Sequence, residues 1–291
     1  QTTSALIIGM LLFLVAAGLT LIFGVLKVVN FTHGSFYMMG AYLALTVNNL
    51  TDSYFLAVVA AAAGVGLFAL VFERFFMSKV YGSNVLMQLL VCYAFILILD
   101  DAVKIIWGPE FKSMGMATAF QKPPLFIAGG IVPVFYLFLI VVTLIISVAL
   151  WLIITRTKFG TIVRAAAVNP SMVSALGINT GLVYSGVFVL GGALAGLAGG
   201  LAAPVRSLTA GMGFSILIES FIVTIIGGMG SQLGALLGAV FGDMPASLNL
   251  LRPEAHRTHT TGLLNVPLRL KLGMLSQFGL KKQPPIVQVG H

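Results

Sequence analysis

The sequence predicts an all-α fold, a polytopic bundle of transmembrane helices. Hydrophobic residues make up 59% of its 291 residues and charged residues only 8%, against about 25% charged in an average soluble domain. The apolar residues form long runs, and a bilayer requires runs of about 20 residues in helices that satisfy their own backbone. We therefore expect about seven or eight membrane segments, two of them discontinuous or short.

The apolar runs assign residues 1–242 to one transmembrane domain. No basic residue precedes the first run, so it is expected to be a membrane helix rather than a signal peptide. The fifth run is expected to be trimmed at Pro133. The expected spans lie near residues 5–26, 31–48, 55–72, 85–103, 125–154, 182–203, 214–226 and 233–241, with a loop over 155–181 between the fifth and the sixth.

A polar break interrupts the second run. About a dozen apolar residues follow it, which is too few for an untilted span unless the break itself lies within the membrane. Broken, polar backbone at membrane depth is tolerated where it lines a cavity or is buried in protein. The break is therefore predicted to line a translocation path through Asn30, His33, Gly34 and Ser35.

A second, glycine-rich break separates the last two short runs. It contains Gly227, Gly228 and Gly230, and it resembles the first break in being flanked by two short apolar segments. A pair of such interruptions, one in each half of a membrane protein, points to a path near the membrane midplane. These three glycines are predicted to line the same path.

The loop over 155–181 is expected to hold two short helices. Helix formers occupy 161–168, Pro170 suits the first turn of a second helix over 171–176, and Gly177 is a natural left-handed stop.

The exposed face of these two helices is expected to be apolar and to offer Val163, Met172, Val173 and Leu176. A protein partner on that face and an ordinary interhelical loop are both open on these residues alone.

Basic residues predict the orientation of the chain. Arg156, Lys158 and Arg164 lie in the central loop, and Arg74 and Lys79 lie in the loop two spans earlier. By the positive-inside rule both loops are cytoplasmic and the N-terminus is outside. Three lysines over 104–122, on the opposite face, count against this orientation.

The sixth run carries glycines at four-residue spacing. Gly192, Gly196 and Gly200 share one helix face, along which another helix backbone can approach closely. The motif predicts a packing seam, either within the chain or with a second membrane subunit.

Residues 243–291 are polar and rich in proline, and are expected to form a loosely ordered basic tail without a membrane helix. The net charge of +8 does not predict nucleic-acid binding, because most basic residues of the first 242 lie at the ends of apolar runs. No metal site is predicted, since His256 and His259 have only Glu254 nearby and Cys92 is the single cysteine.

Motifs of enzymatic chemistry are absent from the sequence. It contains no G-x-x-x-x-G-K-[ST], H-E-x-x-H or G-x-S-x-G, and His33 alone is more typical of a capping or packing group than of a catalyst. Transport is the function class that remains. An ion-coupled carrier using Asp100, Asp101 or Glu219 and a non-transporting structural subunit remain as alternatives.

Three separate motifs carry a family resemblance over residues 5–242. They are GVLKVVNFTHG at 24–34 with YMMGAY at 37–42, then RAAAVNP at 164–170 with ALGIN at 175–179 and GALAGLAG at 192–199, then IGGMGS at 226–231 with GALLG at 234–238. In this order they resemble the branched-chain amino acid permease family, the membrane subunits of ATP-binding-cassette (ABC) importers.

The resemblance implies a permease in the inner membrane of a prokaryote, paired with a second, similar permease. Two cytoplasmic ATPase subunits and an extracytoplasmic solute-binding protein would complete the importer. The chain itself would bind no cofactor, since ATP is used by the partners, and its solutes would be branched-chain amino acids, other amino acids, amides or urea.

The family's ATPase-coupling element would correspond here to Arg164, Ala165, Pro170, Leu176, Gly177, Ile178 and Asn179. Two features depart from the family pattern. The segment 243–291 is polar where members continue through an apolar span, and Glu219 stands where a neutral or basic residue is expected.

Overall fold

The computed structural model describes residues 2–116, 120, 125–127, 130–228, 230–231, 234–236 and 238–239. The regular secondary structure of the described part is helical apart from one short hairpin and an isolated bridge between Lys112 and Leu208, which confirms the all-α membrane class. Within it, four helices are long and apolar enough to cross a membrane by length and composition: Ile7–Leu26, Tyr54–Val80, Val134–Arg156 and Thr180–Ala202. Met212–Gly227 is a shorter apolar helix.

The elements follow in chain order. The helices are α1 Thr2–Leu26, α2 His33–Thr51, α3 Tyr54–Phe72, α4 Ser78–Val80, α5 Val85–Trp107, α6 Val134–Arg156, α7 Lys158–Val168, α8 Pro170–Ala175, α9 Thr180–Ala202 and α10 Met212–Gly227. A π-helical turn, Glu73–Met77, joins α3 to α4. Two antiparallel strands, β1 Leu125–Ile127 and β2 Gly130–Val132, form the hairpin before α6.

Helix α9 lies at the centre and packs against α1, α2 and α3. Its predicted glycine row faces a row of small residues on α3, which runs antiparallel to it. A Cβ built on Gly196 would lie 2.6 Å from the Cβ of Val65, and one on Gly200 would lie 3.2 Å from the Cβ of Ala61. Gly192 faces Ala69 in the same way. This seam therefore lies within the chain.

Glycines also line the other faces of α9. Gly191 meets the carbonyl oxygen of Gly18 on α1, and Gly199 meets the backbone of α2 at Tyr37. Three neighbouring helices thus approach the α9 backbone, which only small residues allow.

The fifth span begins later than residue 125. Residues 125–127 and 130–132 are strands, and α6 starts at Val134. Pro133 precedes the helix with φ −59° and has no N–H to lose, which suits a helix start and agrees with trimming at this residue.

The helices that contain the second and fourth expected spans extend beyond residues 48 and 103. Helix α2 continues to Thr51 and stops at Asp52 with φ 52°, and α5 continues to Trp107 and stops at Gly108 with φ 89°. The chain therefore stays helical until a left-handed residue ends it. Of the predicted last span, 234–236 and 238–239 are described and helical. The predicted tail over 243–291 lies outside the described residues.

Candidate functional site

The first predicted break lies deep in the bundle. Helix α1 ends at Leu26, and α2 begins at His33, whose Nε2 lies 3.0 Å from the carbonyl oxygen of Val15 in the middle of α1. The chain therefore turns back along α1 before α2 starts. Asn30, His33 and Ser35 are buried, each with at most 1% of its surface exposed.

Three polar groups at this break have no hydrogen-bond partner among the described residues. They are Nδ2 of Asn30, Nδ1 of His33 and Oγ of Ser35. The Asn30 Oδ1 atom does have a partner, since it accepts the backbone N–H of Thr32 at 3.0 Å. A buried polar group left unpaired costs about 1–3 kcal/mol, so the cluster is suited to a polar ligand or to ordered water.

The N-terminus of α10 lies beside that of α2. Gly34 and Gly213 touch backbone to backbone, because a Cβ built on Gly213 would lie 2.9 Å from the carbonyl oxygen of Gly34. From this point α10 runs back along the first break, where the rings of Phe31 and Phe221 stack with centroids 5.2 Å apart. Two helices thus start at one place and run in opposite directions.

This arrangement has an electrostatic consequence. The first N–H groups of a helix have no partner within it, and the helix N-terminus carries a partial positive charge. Two such ends meet at Gly34 and Gly213, next to the unpaired side chains of the first break. Discontinuous helices in transporters use such ends to face polar solutes.

The second predicted break lies elsewhere along the bundle. Gly228 and Gly230 have φ values of 88° and 95°, which glycine adopts without strain. Gly230 meets the last turn of α1, since a Cβ on Gly24 would lie 3.3 Å from its Cα. Gly227 packs on Gly234. The structure therefore puts the two breaks at opposite ends of α10 rather than side by side.

The loop over 155–181 folds into two capped helices, α7 and α8. The side chain of Thr157 accepts the N–H of Gly160 at the start of α7, and that of Asn169 accepts the N–H of Met172 at the start of α8. Pro170 occupies the first turn of α8, and Gly177, with φ 81°, follows its end. Asn179 then caps α9 through the N–H of Leu182.

The exposed face of α7 and α8 differs from the prediction. Val163 and Val173 are buried, with 1% and 4% exposed, because they are the side chains that seat the two helices on the bundle. Met172, at 65%, and Leu176, at 74%, are exposed as predicted, and Val168 joins them at 87%. Leu176 thus lies on an apolar outer surface.

The remaining predicted coupling residues lie on the same two helices and the turn after them. Arg164, Ala165, Pro170, Gly177 and Asn179 are exposed, and Ile178 is half-buried. The guanidinium of Arg164 donates to the carbonyl oxygen of Ile154 near the end of α6, so it fastens α7 to that helix.

Two of the candidate ion-binding carboxylates have cationic neighbours. Asp101 pairs with Lys104 at 2.9 Å, and Glu219 lies 3.6 Å from Arg206. Asp100 lies one helical turn before Lys104 and beside Gly211, in the connection before α10. Among the described residues, no three acidic, histidine or cysteine side chains lie close enough together to hold a metal ion.

One buried carboxylate, Glu73, is not predicted by the sequence, where it directly follows the expected span over 55–72. It is 2% exposed and accepts hydrogen bonds from Ser185 and Tyr81. Burial raises the pKa of the Tyr81 phenol and the neighbouring Glu73 carboxylate raises it further, so Tyr81 stays a donor. The π-helical turn that carries Glu73 inward has no sequence signature.

Comparisons with known proteins give the family of the chain. The family model described as "Branched-chain amino acid transport system / permease component" matches residues 1–249. The high-affinity branched-chain amino acid transport system permease protein BraD of Pseudomonas aeruginosa is 30% identical over 254 residues, covering 82% of each chain. The probable branched-chain amino acid transport permease protein LivH of Methanocaldococcus jannaschii is 30% identical, covering 84% of this chain and 78% of LivH.

A third relative is the LivH permease protein of Escherichia coli K12, which is 26% identical with 82% of each chain covered. No solved structure matches the chain. The match of one family model over nearly all of the described chain, together with these relatives, shows that the protein belongs to the branched-chain amino acid transport permease family.

Proposed function

We propose that the chain is the membrane-spanning permease subunit of an ABC importer for branched-chain amino acids or related small polar solutes. It works in the inner membrane of a prokaryote with a second permease, two cytoplasmic ATPase subunits and an extracytoplasmic solute-binding protein. It has no ATPase site of its own. The observation that carries the proposal is the apolar outer surface of α7 and α8 on a chain of this family.

The α7–α8 surface has the properties of a docking element. Its exposed apolar residues are Val168, Met172 and Leu176, and it follows α6 at the end of the bundle where α9 begins. Hydrophobic side chains in a protein contact release water and supply most of its stability. In this proposal the exposed residues enter a groove on the ATPase, while the buried Val163 and Val173 hold the element on the bundle.

The translocation path follows α10 in this proposal. Its N-terminus meets the buried polar cluster of Asn30, His33 and Ser35, and its C-terminal end meets the second break at Gly230. A movement of α7 and α8 is passed to α1 and α9, against which α7 packs. Rocking these helices would open the two ends of the path in turn.

The docking element is tested by Leu176→Glu in the reconstituted importer. We expect ATP-driven leucine uptake to fall at least tenfold and the ATPase to co-purify poorly, because a charge would be buried in the contact. The matched control is Leu50→Glu. It changes a leucine of similar exposure (79%) at the C-terminal end of α2, away from α7 and α8. Equal effects of both variants, or none of Leu176→Glu, would refute the docking assignment.

The solute and the energy source are tested together. Proteoliposomes holding the full complex should take up leucine, isoleucine or valine only with ATP and the solute-binding protein. Uptake by this chain alone, driven by an ion gradient, would instead favour a carrier that uses Asp100, Asp101 or Glu219.

A further inference from the structure

A cavity of about 310 Å³ lies between α1, the end of α6, α7 and the second break. Its walls are mainly apolar and include Leu21, Val25 and Ile154, and its polar groups are Arg164 and the hydroxyls of Thr20 and Ser231. Small-molecule sites are typically concave, of about 300–1,000 Å³, with apolar walls and a few polar groups. The cavity has this composition.

Thr20 contributes a hydroxyl that nothing in the described chain satisfies. It is 1% exposed, and its Oγ1 has no hydrogen-bond partner among the residues described. A helical threonine can bond the carbonyl one turn back, and Thr20 does not. Thr20 thus belongs to the cavity wall and brings an unsatisfied hydroxyl to it.

Opposite charges border the cavity. The Arg164 guanidinium uses donors on the Ile154 carbonyl and, at 3.5 Å, on the Thr161 hydroxyl, but it has five N–H donors in all, which leaves some for a carboxylate. Gly24 and Val25 belong to the last turn of α1, whose carbonyl groups form the partially negative end of the helix. That end attracts an ammonium group.

We infer that this cavity is an inward-facing site for the free branched apolar amino acid. The carboxylate binds Arg164, the ammonium binds the last turn of α1, the alkyl chain packs on Leu21 and Val25, and the Thr20 hydroxyl adds a hydrogen bond. The inference rests on the proposed function and deepens it, because Arg164 belongs to α7. An occupied cavity fixes α7 against α1 and α6, so accumulated product slows further import.

The experiment uses the full importer in proteoliposomes loaded with a range of internal L-leucine concentrations, while the initial rate of ATP-driven uptake is measured. Internal leucine should lower the rate, and internal L-glutamate should not, because its second carboxylate would lie against the apolar wall. In Thr20→Val the leucine concentration for half-inhibition, measured relative to that variant's own uptake rate in empty vesicles, should rise about tenfold, as expected for the loss of one hydrogen bond to a ligand.

Thr143→Val is the matched control. Thr143 lies on α6, is fully buried and, within the described chain, also lacks a hydrogen-bond partner, but it does not line the cavity. It should leave the inhibition curve unchanged. An equal shift in both variants would overturn the inference, since it would show a general packing effect.

The remaining outcomes are also decisive. An uptake rate that ignores internal leucine overturns the cavity site but leaves the importer function standing, whereas absence of ATP-driven uptake in every condition refutes the proposed function itself. A rate that changes with the phosphatidylglycerol content of the vesicles and not with internal leucine would show that a lipid phosphate occupies Arg164, and would also overturn the site.

Discussion

The hydroxyl of Ser185 donates a 2.5 Å hydrogen bond to Oε2 of Glu73 and so joins the start of α9 to the π-helical turn after α3. The phenol of Tyr81 donates to the other carboxylate oxygen at 3.2 Å. A buried carboxylate is tolerated only when it is hydrogen-bonded or paired, and here two hydroxyls provide the bonds. Because α9 leads directly out of the α7–α8 element, this contact connects that element to α3.

Ser185→Ala is therefore expected to lower the free energy of unfolding by about 1.5–3 kcal/mol, the usual value for a hydrogen bond to a charged group. Thermal unfolding of the purified protein in detergent measures the change. Ser215→Ala, at an exposed position of α10, should be nearly neutral. If the two variants melted at the same temperature, the Ser185–Glu73 bond would contribute nothing to stability.

The contact between α9 and α3 makes a second prediction. A Cβ on Gly196 would lie 2.6 Å from the Cβ of Val65 and 2.8 Å from the carbonyl oxygen of Ala61, so Gly196→Ala must push the helices apart. Overpacking of this kind costs about 1–3 kcal/mol.

Gly115→Ala is the control for that substitution, because a Cβ there meets no described atom within 4 Å. Unfolding in detergent should show a lower melting temperature for Gly196→Ala alone. A wild-type melting temperature for Gly196→Ala would mean that the seam is looser than the structure shows.

Much of this architecture could be predicted because membrane helices appear in a sequence as long apolar runs. The same runs could not show where a helix stops, since Asp52 and Gly108 end α2 and α5 by adopting left-handed backbone rather than by a change in hydropathy. The burial of Val163 and Val173 likewise depends on how α7 and α8 rest on the bundle, which no local pattern encodes.

The candidate site could be predicted only in part, for the same physical reason. The polar residues of the first break are conspicuous against an apolar background, so Asn30 and His33 were identified from the sequence. The contact of Gly34 with Gly213 joins segments that are distant in the sequence. No residue beside either glycine in the sequence indicates this contact. Thr20 and Glu73 are distinguished from other polar residues only by the burial of their side chains, which the sequence does not show.

The turn at Gly177 supports a prediction about coupling. Its φ of 81° is costly for a β-branched residue, whereas its Cβ position meets no described atom within 4 Å, so the strain is conformational alone. Gly177→Val should displace the end of α8 and abolish coupling, so that ATP hydrolysis continues without uptake while the protein stays in the membrane.

Gly177→Asn separates backbone strain from side-chain size, since asparagine tolerates the left-handed region. It should retain most of the uptake that Gly177→Val loses. Uptake and ATP hydrolysis are measured side by side in the same proteoliposomes. Normal uptake in the valine variant would argue against a role of this turn in coupling.

A substitution at Ser35 distinguishes a residue of the translocation path from a residue with a purely structural role. Its buried hydroxyl lacks a partner in the described chain, so Ser35→Ala removes an unsatisfied group and should leave the melting temperature unchanged or raise it. If the hydroxyl contacts the solute during passage, uptake should nevertheless fall several-fold. Thr143→Val is the control, because Thr143 is also buried and unpaired within the described part but lies on α6, away from the path along α10. A rise in stability with full uptake in both variants would remove Ser35 from the path, whereas loss of uptake in Ser35→Ala alone, at unchanged stability, would assign the first break to the solute.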